Sequence, residues 1–264
     1  MKVHALLCAA CLTATTFSSI SGASAQAPAA ATSPALAAQA QAASQGRFGF
    51  FVFYREDNDA TRAMSQAVTE LAAQRPDAVA PIYVPITEPA EAATVRQFNV
   101  ERAPMPLVIV TAPNGAVTGA YPQRVTPEQL AASFVTPAMS HCMKSMQQGR
   151  LVFLCVQTAP EAGVPQGVSE FLADPQFQGR GDVVTVLAGD PAEAQLLKEL
   201  AANPADPNGV STVFFAPPGV LVGKFTSVSS KLEMAAALHK AGKCCEDPNC
   251  KHGHAQQPKS GSVR

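Results

Sequence analysis

The chain has 264 residues, 47% of them apolar and 15% charged, with no tryptophan and a formal charge of −1. That is enough for one large or two ordinary domains with real cores. The near-neutral balance offers no basic stripe to offset phosphate charge, which argues against nucleic acid as a partner, and no apolar run approaches the roughly 20 residues of a membrane span.

The N-terminus reads as an export signal. Lys2 is the short positive segment, "ALLCAACLTATTF" the apolar one, and "ASAQ" places Ala23 and Ala25 before a cut after Ala25. Neither Cys8 nor Cys11 has the large aliphatic residue three positions earlier that a lipoprotein signal carries. Residues 1–25 are therefore expected to leave, giving an exported protein, periplasmic or extracellular, that does not span the membrane. Five cysteines then remain, Cys142, Cys155, Cys244, Cys245 and Cys250. An odd number in an oxidising compartment leaves a thiol for a metal or for another exported protein. Residues 26–44, "QAPAAATSPALAAQAQAAS", are rich in Ala, Gln and Pro without apolar periodicity and read as a flexible spacer.

One plan then occurs twice. "QGRFGFFVFY" (45–54) answers to "QGRLVFLCVQ" (148–157), "EPAEA" (88–92) to "DPAEA" (190–194), and "APNGAVTG" (112–119) to "APPGVLVG" (216–223). Three pairs in the same order at nearly the same offset indicate a tandem repeat. Each unit predicts β-α-β-α-β-β-α. In the first, over 45–135, the apolar run Phe48–Tyr54 suits a strand buried on both faces. A helix over 59–74, a strand over 79–85, a helix from Pro89 and a strand over 107–111 follow. "PNG" turns the chain into a strand over 116–121, and a last helix starts at Thr126 (N-cap) and Pro127. In the second unit, over 136–242, a helix over 137–147 leads into strand 151–156, helix 165–173, strand 183–188 and helix 192–202. Hairpin strands 212–216 and 220–225 and a helix over 231–240 complete it. A βαβ crossover followed by a hairpin means a mixed sheet with helices on both faces.

This order of elements, with "APMPLVIVTAPNGAVTGAY" (103–121), resembles the thioredoxin fold, over about 46–135 and more loosely over 150–242. The resemblance implies an α/β protein of two tandem thioredoxin-like domains, with Pro106 as the cis-proline that lies beside the catalytic dithiol in relatives. The dithiol itself is missing. Such catalysis needs CxxC at the start of the first crossover helix, where the helix end lowers one thiol's pKa and the second resolves the mixed disulfide. Here Asn58-Asp59-Ala60-Thr61 and Glu161-Ala162-Gly163-Val164 stand there, and Val210 replaces the second proline. Asn58 and Asp59 suit helix capping. Met105 and Pro106 either open a strand or form part of a peptide-binding surface, as in relatives.

"MSHCMKSM" puts Met139, Cys142, Met143 and Met146 on one helix face. The stripe either packs against the sheet or, beside His141, holds Cu(I). If that helix runs antiparallel to the strand after it, Cys142 sits roughly 9 Å along the helix at about 1.5 Å per residue. Cys155 sits roughly 13 Å along the strand at about 3.3 Å per residue. A structural disulfide between them follows if the Cα atoms come within about 7 Å.

The last motif is "KCCEDPNCKHGH" (243–254). Residues 243–264 read as a solvated tail with almost nothing apolar to bury. Cys244, Cys245, Cys250, His252 and His254 put thiolates and imidazoles within eleven residues, the donors preferred by Zn²⁺ and, for thiolate, Cu(I). The spacing differs from a zinc finger, so the pattern points to a borderline or soft metal without naming it. Other readings stay open: an atypical thiol–disulfide oxidoreductase working through these cysteines, and a crosslink to a partner protein.

Overall fold

Two phenylalanine-bearing strands organise the chain. The computed structural model describes residues 33–205 and 209–243. In it Phe48–Tyr54 (β1) and Leu151–Gln157 (β5) are each buried along their length and flanked by neighbours on both sides. β1 pairs in parallel with Val79–Pro85 (β2) and antiparallel with Leu107–Thr111 (β3), which pairs with Val117–Pro122 (β4). The second sheet repeats this plan. β5 pairs in parallel with Gly181–Leu187 (β6) and antiparallel with Thr212–Ala216 (β7), which pairs with Val220–Phe225 (β8). The orders are β2-β1-β3-β4 and β6-β5-β7-β8, and both hairpins carry an irregularity at the matching place, Val110/Thr111 and Phe214/Phe215.

Strand alternation decides which helix covers which face. Phe50 and Val52 point to Asp59–Gln74 (α2), meeting Met64, Val68 and Leu71, and to Pro127–Ala131 (α4) through Leu130. Phe51 and Phe53 point to Pro34–Ser44 (α1) and Ala92–Phe98 (α3), meeting Ala35 and Val95. In the second lobe Val152, Leu154 and Val156 face Pro137–Gln147 (α5) and Ala194–Glu199 (α7). Phe153 and Cys155 face Gln166–Ala173 (α6) and Lys231–Lys243 (α8). Each fully buried Phe contributes about 1.5–3 kcal/mol over an exposed one.

The helix α1 corrects the expectation of a flexible spacer over 26–44, of which 26–32 lie outside the described residues. Alanine is the best helix former, the Ser33 side chain caps the N-terminus, and Pro34 takes the first turn. Its buried residues, Ala35 and Ala42, are too small to print an apolar period. Smaller differences occur elsewhere. The helix expected over 192–202 is a 3-10 turn, Pro191–Glu193, followed by the short α7, and the last helix runs three residues past Lys240.

Each leading helix, α1 or α5, starts against a buried glutamate. Glu91, 5% exposed, accepts from the Ala35 N–H (3.1 Å) and the Thr94 hydroxyl (3.0 Å), and Thr94 also meets Ser33. Glu193, 4% exposed, accepts from the Ala138 N–H at 2.7 Å. A carboxylate suits both the unpaired N–H groups and the positive end of the helix dipole.

The two lobes belong to one compact unit, and α5 joins them. The Gln147 side-chain amide pairs with the backbone of Val117 in β4, accepting from its N–H at 2.9 Å and donating to its carbonyl at 2.6 Å. Lys144 Nζ donates to the Gly115 carbonyl at 3.2 Å. Among the described residues no helix is long and apolar enough to cross a membrane.

Replacing Glu91 by Ala removes the acceptor from two buried donors. The expected loss is about 1–3 kcal/mol, read as a lower urea midpoint by circular dichroism, with Glu91→Gln losing less. An unchanged midpoint in Glu91→Ala would remove this contact from the account of α1.

Candidate functional site

In the first lobe, β1 delivers the chain to the N-terminus of α2 beside the loop that enters β3. Asn58 caps α2, its Oδ1 accepting from the Thr61 N–H at 3.0 Å, and the Thr61 hydroxyl donates to the Glu56 carbonyl at 2.8 Å. Asp59 is the first helical residue and pairs with Arg62 at 2.6 Å; Asp57 pairs with the same guanidinium at 3.2 Å. These pairs are solvated and worth little on their own. Opposite lies the Met105–Pro106 peptide bond, which is cis. Arg55 Nη2 donates to the Glu101 carbonyl at 2.6 Å and so ties the loop before Pro106 to the end of β1.

Between these pieces lies an open pocket of about 210 Å³ lined by Arg55, Glu56, Asn58, Thr61, Met105 and Pro106. Met105 supplies its one sulfur, a thioether that forms no disulfide. Arg55 and Glu56 escaped the sequence reading, and Thr61 entered it only as an occupant of the dithiol position, because polar residues at a helix start read as caps until β3 is folded against them. In the second lobe the matching segment is built differently. Gln157 Nε2 donates to the Gly163 carbonyl at 2.8 Å, a 3-10 turn spans Pro160–Ala162, and α6 begins only at Gln166 with no side-chain cap. Val210 stands at the register of Pro106, and among the lobe's described residues the cis bond is Pro217–Pro218, in the β7–β8 turn.

The expected Cys142–Cys155 disulfide is not formed: both cysteines are free and buried. Equal heights along helix and strand do not bring the sulfurs together, because the strand side chain points to the other face of the sheet. Cys142 packs with Val152, Leu154 and Val156 under α5, whereas Cys155, at odd register, packs with Phe153, Phe171, Phe214 and Met234 on the opposite face. The sheet lies between them. The methionine stripe packs as core, with Cys142 and Met146 in the cluster and Met139 and Met143 against it. Burial, with a smaller contribution from nearby Glu193, pushes the Cys142 thiol up to about 12. Burial pushes Cys155 up to about 11, against a partly opposing hydrogen bond from Thr212. Thiolate is the reactive form, so neither cysteine is a nucleophile near neutral pH.

The five expected tail ligands, Cys244, Cys245, Cys250, His252 and His254, lie outside the described residues, as does the expected signal over 1–25. Among the described residues no group of three or more His, Cys, Asp and Glu side chains could hold a metal ion.

No protein-family model matches the chain, and no curated protein matches it by sequence. Among solved structures it is similar to thioredoxin O2 from Arabidopsis thaliana, with 21% identity over 37% of this chain and 80% of that one, at a TM-score of 0.30. It is also similar to a thioredoxin from Thermus thermophilus, with 20% identity over 45% and 95% and a TM-score of 0.31. For human ERp44 the values are 7% identity over 78% and 56%, and a TM-score of 0.34. Scores this low leave the fold to rest on strand order, strand direction and connection.

Two outcomes follow from the buried thiols. Maleimide at pH 8, mapped by peptide mass, is expected to leave Cys142 and Cys155 unlabelled in the folded chain and to label both in urea. Because their folded pKa values lie above the ordinary 9.0, the unfolded chain releases those protons first. Their contribution to stability is complete below pH 9 and falls as pH rises toward 11–12. That slope is expected to shrink in Cys142→Ala/Cys155→Ala.

Each sheet has a parallel crossover followed by an antiparallel hairpin, with helices on both faces; the chain thus carries two tandem thioredoxin-like domains, neither with a CxxC motif at its first crossover helix.

Proposed function

We propose that this is an exported thioredoxin-like protein whose lobes carry out no thiol–disulfide exchange and whose C-terminal Cys/His segment binds a metal ion. One observation carries the reading: sulfur is missing where the fold does redox chemistry, and the lobes' two cysteines are sealed in opposite faces of one sheet. The remaining donors are those of 244–254, a set matched to Zn²⁺ or Cu(I). Export rests on the signal pattern of residues 1–25.

The pocket at Met105–Pro106 favours a complementary role as a platform for another exported protein. It keeps an open cleft with hydrogen-bonding groups on one wall and an apolar Met–Pro floor, and it lacks the dithiol that would turn binding into exchange.

Metal content by elemental analysis tests the reading. The full chain, purified anaerobically under reducing conditions, is expected to hold about one Zn or Cu per chain, and Cys244→Ser/Cys245→Ser/Cys250→Ser close to none. Equal, negligible metal in both would sink it.

A further inference from the structure

Each sheet begins with an edge strand, β2 or β6, paired in parallel to the central strand. The end bonds of each ladder show which backbone groups face out. Phe48 N–H donates to the Ala78 carbonyl at 2.8 Å and Ile86 N–H to the Tyr54 carbonyl at 2.9 Å. In the second lobe Leu151 N–H donates to Arg180 and Ala188 N–H to Gln157, both at 2.9 Å. Even-numbered residues of β2 and β6 therefore bond inward, and odd-numbered ones turn their backbone groups outward. Both lobes close the ends of this edge alike. An arginine caps the first outward carbonyl, Arg47 on Val79 at 3.5 Å and Arg150 on Gly181 at 2.8 Å. A turn N–H caps the last, Glu88 on Pro85 at 3.1 Å and Asp190 on Leu187 at 3.0 Å.

Between those caps the lobes differ. Two outward positions of β2 are Pro81 and Pro85, which have no N–H, so only Tyr83 can donate there. The register puts Val183, Thr185 and Leu187 at the places of Pro81, Tyr83 and Pro85, and all three keep their N–H. Among the described residues nothing bonds to these three N–H groups or to the carbonyls of Val183 and Thr185. Thr185 is exposed, Leu187 is 39% exposed, and Val183 and Val184 are half-buried. Edges are normally blunted by proline or charge. β2 is blunted by proline, whereas β6 has neither proline nor charge after Asp182, whose carboxylate Arg150 holds at 2.6 Å.

The strand itself selects the occupant. Val183-Val184-Thr185-Val186-Leu187 reads nearly alike in both directions. A two-fold axis at Thr185 therefore sets Thr185 opposite Thr185, Val184 opposite Val186 and Val183 opposite Leu187, all favourable cross-strand pairs. Asp182 falls opposite Ala188, so no like charges meet. The outward N–H and C=O of Thr185 exchange both bonds with their copies, and Leu187 N–H meets the Val183 carbonyl on each side of the axis. An edge that complements itself in this way meets the requirement of a two-fold interface. We propose that two copies of the chain pair β6 to β6, antiparallel about Thr185, and so join their second-lobe sheets. The inference goes beyond the metal reading and does not depend on it.

Sedimentation equilibrium on the full chain tests this, with reductant and chelator present so that neither disulfides nor metal bridge the copies. The average mass is expected to rise with concentration from one chain toward two. Thr185→Lys sets like charges opposite each other at the axis and is expected to raise the dimer dissociation constant at least about tenfold. Val183→Pro/Leu187→Pro, which copies the first lobe's edge, is expected to do the same. Thr185 lies exposed at a strand edge, so its lysine variant keeps the test open should the proline variant fail to fold. Amide exchange by NMR is expected to show Thr185 N–H protection that grows with concentration, with the Tyr83 N–H unchanged. A natural chain that stays monomeric, or a Thr185→Lys chain that dimerises equally well, overturns the proposal. So does Thr185 protection independent of concentration, which would assign the edge to another part of the same chain. Both variants keep all five Cys and His donors, so their metal content reports on the metal reading separately.

Discussion

A carboxylate buried at the first turn of a leading helix is the contact on which each lobe depends. An 11-residue helix is marginal by itself, and its first N–H groups have no partner within the helix. Glu91 and Glu193 supply that partner from the second crossover and so pin α1 and α5 to their sheets. Without those helices, Phe51 and Phe53 in one lobe and Val152, Leu154 and Val156 in the other would lose their cover. The two sites are not equal. Thr94 closes the second oxygen of Glu91, but Leu196 stands at the equivalent position, and Glu193 Oε2 is left buried without a partner. Buried acceptors without donors are costly, so the second lobe carries the less satisfied version of the same device.

The sheets that these helices cover also decide where sulfur goes. Alternation along β5 sends Cys155 to the face opposite Cys142, and both thiols are held in their protonated form by burial. At the first crossover, polar caps replace the dithiol while the cleft beside Pro106 remains. Beyond residue 25, the cysteines other than Cys142 and Cys155 are Cys244, Cys245 and Cys250, in the C-terminal segment.

The junction between the lobes follows from the repeat. A leading helix belongs to the sheet after it, yet its last turn reaches back to the edge of the sheet before it, as Gln147 and Lys144 do on β4. The arrangement closes one edge with side chains that imitate a strand. It also gives the second lobe, which has no third lobe behind it among the described residues, an edge of the same shape.

Much of the fold was legible because continuous apolar runs between turn residues mark buried strands, and Phe48–Tyr54, Val79–Pro85, Leu107–Thr111 and Thr212–Ala216 stand where the pattern puts them. The mixed character of each sheet and the residues standing at the dithiol positions could likewise be read from element order and residue identity. Local sequence determined these because hydrophobic period and turn chemistry act over a few residues. The burial of α1, the two glutamates, the opposite faces of Cys142 and Cys155 and the closing of β4 by Gln147 were decided only by the tertiary structure. Each joins residues far apart in the chain, and a small alanine, a charged glutamate or an amide shows its partner only once the sheet has brought the two together.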